Sequence, residues 1–567
     1  MDKLTLGLRP YLLLSLLCVA VYLPGLATVP PLDRDESRFI QATRQMLVSG
    51  DYVRIQFQNE MRAKKPVGAY WLQAASVKAF SHPLSSALWP YRLPGALAAW
   101  AAALMTFGFG KSLLGRRPAL LGGGMLATAL ILVSEAHQAK TDAVLLACAV
   151  AAQMVLARFY VAARANEAAK ARTATAGAGG GGCGGPATVR GPGFGEALVF
   201  WLAQGIAILV KGPIVPMVSL LTIVTLGLAD RSWRWLVTLR PAFGSLVAAA
   251  VAAPWFVAIS RATGGAFVGQ AVKSDLLPKL LGSQESHGFW PGYYLLLAVV
   301  LLWPASLLAW PAMVRAWSER RRLAYRFLLA WALPTWVMFE LVPTKLPHYV
   351  LPTFPAVALI TGALAAEQSE VFRTRAARVY FIVWTVVGLT LAAAVAVLPA
   401  RLGTGFDAGL AVAAAAIAAA TLLPALLALR GRILPAAVAL ALTAAVAFPA
   451  VFAGVLPKLD QLWTSRAIAA SVGSLGASGP IAAAGYHEPS LVVLMGTGTL
   501  LTDGAGAAAH LAAHPDTVAV VGASQAAPFF AALAADHLTP QALDRVDGFN
   551  YSRGRRVSLT IYGLTRP

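Results

Sequence analysis

The chain has 567 residues, of which 58% are apolar and only 13% are charged. Soluble domains carry about 25% charged residues, so this composition excludes a soluble cytosolic enzyme, a disulfide-stabilised scaffold and a disordered protein. The formal net charge of +21 is compatible with nucleic-acid binding, but in so apolar a chain it first indicates membrane topology. We therefore expect a membrane protein that binds lipids and no nucleic acid.

Long apolar runs occupy most of the chain. A transmembrane helix needs about 20 mostly apolar residues, and thirteen runs meet or approach this length. The first run is too long for a signal-peptide core and lacks a clean cleavage site, so we interpret it as a retained span. The runs lie at residues 10–28, 88–109, 118–134, 143–163, 195–210, 213–229, 242–260, 290–313, 327–342, 349–366, 379–398, 408–429 and 433–455.

Lysine and arginine indicate the orientation of these spans, because they accumulate in cytoplasmic loops. With the N-terminus in the cytoplasm, the largest basic cluster, at residues 315–326, falls in a cytoplasmic loop. An odd number of spans then places the tail from about Leu456 on the other side. For a bacterial inner membrane, this predicts a cytoplasmic N-terminus and a periplasmic C-terminus.

Two segments differ from the apolar runs in composition. Residues 174–195 are rich in Gly and Ala and are predicted to form a flexible cytoplasmic linker. The tail contains alanine-rich helical stretches between β-like segments at residues 480–484, 491–494, 517–521 and 557–562. The sequence thus predicts an all-α polytopic membrane domain over residues 1–455 and a small periplasmic α/β domain over residues 456–567. His487 and Glu488 in the tail are interpreted as polar groups of a local turn.

The loop between the first two spans is rich in charge. Its first charged residues are Asp33, Arg34, Asp35, Glu36 and Arg38. From Asp35 onward, apolar residues recur with helical spacing, which predicts an interfacial helix with acids at its N-terminus, where the helix dipole favours them. A second amphipathic helix is predicted from Lys64, Lys65 and Pro66, because proline suits a first helical turn. The alternative is a solvated loop whose acids only cap a helix.

Further polar groups lie at the predicted outer ends of other spans. Asp142, with Glu135, His137 and Lys140 before it, begins the fourth span, where the alternative role of Asp142 is to cap the helix. Lys211 interrupts an apolar hairpin and should face protein or water, unless it lies at an exposed tip. The remaining candidates are Glu285, His287, Tyr293, Tyr294, Glu340, Lys345, His348 and Tyr349. They contain no ligand pair at helical i,i+4 spacing, so neither a metal nor another cofactor is predicted.

Acidic and basic groups together at one membrane surface suit a phosphate-bearing lipid substrate. Cations hold a phosphate and stabilise it as a leaving group, and a carboxylate accepts a proton from a nucleophile. The sequence contains no P-loop, dinucleotide-binding fingerprint or Ser/His/Asp motif, so it gives no support for nucleotide use. The donor must then carry its own activation energy, as a polyprenyl-phosphate sugar does.

The order of several motifs resembles that of C-type membrane glycosyltransferases, and above all of the group that transfers aminoarabinose to lipid A. Protein O-mannosyltransferases are a more distant match. The likeness covers nearly the whole chain, including the span count and the outer C-terminal domain. The motifs are DESRF at 35–39, KP at 65–66, YWL at 70–72, TD at 141–142, KGP at 211–213, His287 before Phe289 and Trp290, and KLPHY at 345–349.

The resemblance implies a principal catalytic carboxylate at Asp35 and a second acid, Asp142, in the same cavity. It implies that the donor phosphate is held by Arg38, Lys65, Lys345 and His348. Further substrate contacts are predicted for Glu36, Lys64, Lys211, His287, Tyr293 and Tyr349. Two positions depart from the family pattern, since Phe39 replaces an aromatic hydroxyl and Val67 replaces the second residue of a double proline.

The expected reaction is transfer of a sugar from a polyprenyl phosphate to lipid A or another envelope glycan, with inversion at the anomeric carbon. A protein O-mannosyltransferase would share the fold and differ in its acceptor. A lipid or solute transporter is a third reading, but transporters usually show internal repeats and midplane sites, whereas these polar groups cluster at span ends. The enzymatic interpretation requires Asp35 and Lys345 to share a water-accessible chamber.

Overall fold

The computed structural model describes residues 5–176, 191–271, 273, 289–403, 405–477 and 479–564. His287 and most of the glycine-rich linker lie outside the described residues. The predicted all-α membrane domain is confirmed. Its helices are α1 (Arg9–Tyr22), α2 (Asp35–Ser49), α3 (Gly68–Phe80), α4 (Trp89–Leu114), α5 (Arg116–Ala127), α6 (Leu130–Ala136), α7 (Asp142–Ala176), α8 (Phe194–Lys211), α9 (Ile214–Asp230), α10 (Pro241–Ala262), α11 (Ala266–Gln270), α12 (Tyr293–Leu301), α13 (Ser306–Ser318), α14 (Leu323–Leu341), α15 (Phe354–Ala366), α16 (Arg375–Leu402), α17 (Ala408–Leu429) and α18 (Ile433–Pro449).

The predicted apolar runs all coincide with helices, but fewer helices qualify as single spans. Among the described residues, eight helices are long and apolar enough to cross a membrane, or nine if α5 and α6, which meet at a 59° bend, count as one span. Other runs form shorter or broken helices: α1 has 14 residues, α9 has 17, and one run is split between α12 and α13. Pro304 lies in that break and has no N–H group to continue a helix. The chain is a multi-span membrane protein.

Glycine residues allow close packing of α5 and α15, two helices near the cavity described below. A Cβ atom on Gly362 of α15 would lie 2.5 Å from the carbonyl oxygen of Pro118 in α5. A Cβ atom on Gly122 of α5 would lie 3.0 Å from the Cα atom of Leu359. Because only glycine permits this approach, α15 packs directly on α5. The turn before α15 is thereby fixed beside α6, the continuation of α5.

The first outer loop forms α2, α3 and a short hairpin of strands β1 (Gln56–Phe57) and β2 (Glu60–Met61). Helix α2 begins at Asp35, as predicted, and ends where Gly50 adopts a left-handed backbone with φ of 73°. Helix α3 begins at Gly68, two residues after Pro66, so the predicted position of the proline in its first turn is wrong. Phe39 of α2 stacks on Tyr70 of α3 with ring centroids 4.7 Å apart.

The polar side of α2 is covered by the C-terminal part of the chain. Gln41 donates a hydrogen bond to the Thr497 hydroxyl at 2.6 Å, and Arg44 donates to the Val493 carbonyl oxygen at 2.8 Å. Both side chains are buried. The helix therefore packs between α3 and the C-terminal domain. Its polar residues contact protein groups, whereas those of the predicted interfacial helix would contact water.

Residues after the last span form a mixed α/β domain. Its sheet has the order β4–β3–β5–β7–β6; β4, β3 and β5 are parallel, whereas β7 is antiparallel to both its neighbours. Its strands and helices are β3 (Ala482–Ala484), β4 (Leu500–Thr502), β5 (Ala519–Gly522), β6 (Pro540–Asn550), β7 (Arg555–Leu564), α19 (Thr464–Ser474), α20 (Pro489–Met495), α21 (Gly504–Ala513) and α22 (Ala526–Ala535).

Three of the four predicted β-like segments of the tail overlap strands β3, β5 and β7. The prediction at residues 491–494 is wrong, because these residues lie in helix α20, which Pro489 begins. A run of four apolar residues does not distinguish a strand from a buried helix by periodicity. Strands β4 and β6 were not predicted.

Candidate active site

A cavity of about 400 Å³ lies between the first outer loop, the start of α7, the end of α8 and the loop before α15. Acidic and basic side chains from these separate segments meet in it. Nine of the twelve predicted site residues line the cavity. Its ionisable and aromatic lining includes Asp33, Arg34, Asp35, Glu36, Arg38, Phe39, Arg62, Lys64, Lys65, Glu135, Lys140, Asp142, Lys211, His348 and Tyr349.

Asp35 is the first residue of α2 and faces the cavity, where its side chain is 52% exposed. The residue before it, Arg34, has a left-handed backbone with φ of 65°, which turns the chain sharply into the helix. Arg62, itself buried, lies 3.5 Å from the Asp35 carboxylate and donates a hydrogen bond to the Tyr70 hydroxyl at 3.1 Å. Asp35 is thus held by both a helix start and a buried arginine.

The field of the cavity keeps Asp35 ionised. Burial alone would raise the pKa of Asp35, but Arg62, Lys140, Lys65 and His348 together hold that pKa well below its usual range. The carboxylate is therefore negative at any physiological pH. Lys140 responds in the opposite direction, since burial would lower its pKa but the surrounding carboxylates raise it.

A second group of charges lies at the ends of two spans. Asp142 is the first residue of α7 and Lys211 the last of α8, so each charge complements the dipole of its own helix. The Lys211 ammonium lies 2.5 Å from the Asp142 carboxylate and 5.6 Å from the centre of the Tyr349 ring. The Lys140 ammonium lies 3.0 Å from Glu135. Lys211 therefore faces protein and not lipid.

His348 connects these two ion pairs. Its Nε2 atom lies 3.8 Å from Asp142, and its Nδ1 atom lies 3.7 Å from Glu135. One ligand atom from each of these three residues lies within 4.8 Å of the others, a spacing that fits a cation. Lys211 and Lys140 each pair with one of the two carboxylates, and Glu135 Oε2 is buried with no hydrogen-bond partner among the described residues.

Glu36 lines the cavity but is held by other groups. Its carboxylate accepts hydrogen bonds from Arg92 Nε at 2.8 Å, Arg92 Nη2 at 3.0 Å, and the backbone N–H groups of Leu32 and Ala139, both at 2.9 Å. The Glu36 and Arg92 side chains are both fully buried. Glu36 therefore joins the first loop to α4 and to the segment before α7, which positions Asp35 opposite Asp142.

The predicted contact of Lys345 with phosphate is not supported. Its side chain is buried, and its ammonium group donates hydrogen bonds to the carbonyl oxygens of Glu340 at 2.6 Å and Val342 at 3.0 Å. Lys345 thus caps the end of α14, whose last carbonyl groups lack partners within the helix. Lys345 does not line the cavity of Asp35, so the predicted chamber shared by Asp35 and Lys345 is not observed. Asp35 instead shares its cavity with Lys140 and Lys211.

Two other predicted contacts differ in outcome. Tyr293 is not among the cavity-lining residues; its ring stacks on Phe289 with centroids 4.7 Å apart. His287 lies outside the described residues.

The prediction missed Arg62 and Arg92, and it named Glu135 and Lys140 only as polar neighbours of Asp142 without a role in the site. Arg92 could have been found from the sequence, because a lone arginine within an apolar run must have a buried partner. Arg62 could not, since only the β1–β2 hairpin brings it back towards Asp35.

Comparisons with known proteins agree with this architecture. Residues 64–179 match the family described as dolichyl-phosphate-mannose-protein mannosyltransferase. The chain is also similar to two proteins named undecaprenyl phosphate-alpha-4-amino-4-deoxy-L-arabinose arabinosyl transferase. The protein from Enterobacter sp. (strain 638) is 25% identical over 346 residues, covering 60% of this chain and 56% of the relative. That from Aeromonas hydrophila is 27% identical over 370 residues, covering 65% and 62%.

These matches span about three fifths of the length of the curated relatives. A crystal structure of ArnT from Cupriavidus metallidurans bound to undecaprenyl phosphate has a TM-score of 0.72 and 20% identity, and the match covers 98% of each chain. The apo structure of that protein gives a TM-score of 0.71. The predicted resemblance to C-type glycosyltransferases of the aminoarabinose transferase group is confirmed.

Proposed function

We propose that this protein is an inverting glycosyltransferase that moves a sugar from a polyprenyl phosphate to lipid A or a similar envelope glycolipid. The observation that carries the proposal is the cavity in which Asp35 faces Arg62, Lys140, Lys211 and His348. An exposed carboxylate, Asp35, that shares a cavity with several cations at the ends of spans suits a phosphate leaving group and a nucleophile in one chamber. The undecaprenyl phosphate bound by the C. metallidurans protein supports a lipid-linked donor.

In the proposed reaction, an acceptor oxygen attacks the anomeric carbon opposite the phosphate. A carbon–oxygen bond to the acceptor forms as the bond to the donor phosphate breaks, and polyprenyl phosphate leaves with the electron pair. Lys140 and Lys211, which are fixed by their carboxylate partners, lie where they stabilise the charge that develops on this phosphate. Arg38, Lys64 and Lys65 line the same cavity and supply further positive charge.

The low pKa of Asp35 favours an acceptor that is already ionised. A general base works best when its pKa lies near the working pH, and Asp35 is far below it. A phosphate oxygen needs no deprotonation near neutral pH, so Asp35 would only orient the acceptor or the sugar. A hydroxyl acceptor would require a stronger base. This argument favours a glycolipid phosphate as acceptor.

The second candidate is transfer of a sugar to protein. The match of residues 64–179 to the protein mannosyltransferase family supports it, and this segment contributes Lys64, Lys65 and Asp142 to the cavity. Mass spectrometry of lipid A and of glycoproteins from a deletion strain and its parent distinguishes the two acceptors. Loss of a sugar from lipid A supports the first candidate, and loss from proteins supports the second.

We also propose that the cavity opens on the periplasmic side of an inner membrane, with the N-terminus in the cytoplasm. The contacts of the first loop with the C-terminal domain put both on one side of the bundle, such as the bond from the Asp33 N–H group to Tyr551 at 2.7 Å. The basic residues at 315–326 favour the cytoplasm for the opposite side.

The test of the proposal is Asp35→Asn in membranes supplied with a polyprenyl-phosphate sugar and lipid A. Asparagine keeps the shape and removes the charge, and we expect transfer to fall by about 10²- to 10³-fold, as when a transition-state electrostatic contact is lost. Glu60→Gln, an exposed acid of the same loop, is the matched control and should retain activity. Transfer within threefold of the parent in Asp35→Asn would refute the assignment.

A further inference from the structure

The parallel half of the C-terminal sheet contains a topological switch point. Strand β3 lies between β4 and β5, and the three strands are parallel. After β3 the chain continues to β4 on one side, and after β5 it continues to β6 and β7 on the other side. In open α/β sheets, ligands bind in the crevice at the carboxyl ends of strands where neighbouring connections diverge in this way.

A crevice of about 210 Å³ lies at this place in the domain. Residues that follow the three parallel strands line one side, and the turn between β6 and β7 lines the other. The lining includes Gly485, Asp503, Gln525, Arg553 and Arg555. Gly485 has φ of 84°, and a Cβ atom there would lie 3.3 Å from the Gln525 side chain. A glycine at this position therefore keeps the crevice open.

The cationic side of the crevice suits a phosphate. Arg555 is exposed and forms no ion pair with any other residue that the structure describes. Arg553 lies 3.7 Å from Glu488 and is half exposed. Arginine presents a planar fork of donors that matches phosphate oxygens, and two such groups, one in the turn and one at the start of β7, strengthen that match.

The opposite side of the crevice suits hydroxyl groups. The Asp503 carboxylate accepts one hydrogen bond, from the Gly506 N–H group at 2.8 Å, and retains further acceptor sites. The Gln525 side-chain oxygen Oε1 accepts a hydrogen bond from the Gly504 N–H group at 2.8 Å, which leaves the side-chain NH₂ group as a donor. The volume is below the ~300–1,000 Å³ of pockets for drug-sized ligands, so it fits one sugar ring with a phosphate.

The turn that carries Arg553 also contacts the loop of Asp35. The Tyr551 hydroxyl accepts a hydrogen bond from the Asp33 N–H group at 2.7 Å, and Arg34 donates to the Ser552 carbonyl oxygen at 2.8 Å. Tyr551 and Ser552 thus contact the loop of Asp35, and Arg553 of the same turn lines the crevice.

We propose that this crevice binds a phosphorylated sugar. Resting on the proposed function, we assign it to the phosphosugar portion of the acceptor that lies away from the reacting oxygen. The crevice would then hold the acceptor head group while the other end enters the cavity of Asp35.

Hydrogen exchange on the full chain in lipid nanodiscs tests the proposal, with glucosamine 1-phosphate as the probe. We expect protection of the amides that follow β3, β4 and β5, and about tenfold weaker binding in Arg555→Gln, since one charge-assisted contact is lost. Arg556→Gln is the matched control, because successive strand residues point to opposite faces and Arg556 does not line the crevice. Protection should persist in Lys65→Ala, in which a phosphate contact of the catalytic cavity is absent.

A second arm uses nanodiscs that contain lipid A, which should protect the same amides. Protection by the free sugar phosphate alone would assign the crevice to a soluble ligand and overturn its role in acceptor binding. Equal losses in Arg555→Gln and Arg556→Gln, equal binding of unphosphorylated glucosamine, or no protection would overturn the proposal as a whole. Protection of the crevice in a chain that transfers no sugar would refute only the proposed function.

Discussion

At the scale of single residues, Lys211 and Asp142 are a buried ion pair that joins two spans. Removing one partner of such a pair leaves an uncompensated buried charge, which costs about 3–5 kcal/mol. Lys140 lies near Asp142 and offsets part of this cost. We therefore expect Lys211→Met to destabilise the protein by about 3 kcal/mol or less. Thermal unfolding in detergent, followed by tryptophan fluorescence, measures the change.

The double variant Lys211→Met/Asp142→Asn separates structure from chemistry. It removes both charges, so most of the lost stability should return. If the pair also serves in transfer, activity should stay low in spite of the recovered fold. Full activity in the double variant would show that the pair only holds α7 to α8.

Asp33, two residues before Asp35, should make stability depend on pH. Burial raises the pKa of Asp33 to about 6, with a further increase from Glu488, although hydrogen bonds from Ser490 and Tyr551 oppose the rise. A raised pKa means that the fold favours the protonated acid, so its stabilising contribution is complete below about pH 4 and is lost as the pH rises through about 6.

The matching experiment compares the parent with Asp33→Asn, which stays neutral at every pH. Between pH 5 and pH 8, the parent should lose about 1.4 kcal/mol relative to the variant, the equivalent of one pKa unit. Thermal midpoints measured side by side across this range report the difference. A difference that does not change with pH would contradict the environment described for Asp33.

At the scale of elements, the turn between β6 and β7 supports the start of α2. Tyr551→Phe removes the acceptor for the Asp33 N–H group, and one neutral hydrogen bond contributes about 0.5–1.5 kcal/mol. We expect roughly a two- to tenfold loss of transfer, with faster hydrogen exchange at residues 32–36. Tyr562→Phe, whose ring packs on Phe529 in the same domain, is the control. Equal effects of both variants on exchange at residues 32–36 would contradict this support.

The same elements show what the sequence could and could not predict. Apolar length was sufficient for the helices, and the charges around Asp35 and Asp142 marked the cavity, because ionisable residues at span ends need partners. The predicted role of Lys345 was wrong. A lysine in the loop after a helix can either cap that helix or bind phosphate, and the sequence does not distinguish the two. Arg62 was out of reach, because its approach to Asp35 depends on tertiary folding of a hairpin.

For the whole molecule, the decisive property is which loops share a side of the membrane. Contacts of the first loop with the C-terminal domain require that residues 60 and 524 lie on one side, and the positive-inside rule places residue 321 on the other. Cys18 and Cys148 are buried, so single exposed cysteines can report on sidedness once Cys183 is replaced by serine. The three positions are tested as Glu60→Cys, Ser524→Cys and Arg321→Cys.

A membrane-impermeant maleimide added to intact spheroplasts should label Glu60→Cys and Ser524→Cys, and should label Arg321→Cys only after lysis. The proposed function requires this result, because under it the cavity, the crevice and both loops that line them meet a glycolipid on the outer surface. Labelling of Arg321→Cys alone would show that the protein has the opposite orientation in the membrane, with the cavity open to the cytoplasm. The polyprenyl-phosphate donor would then have to be used before it crosses the membrane, and an acceptor on the periplasmic surface would be out of reach.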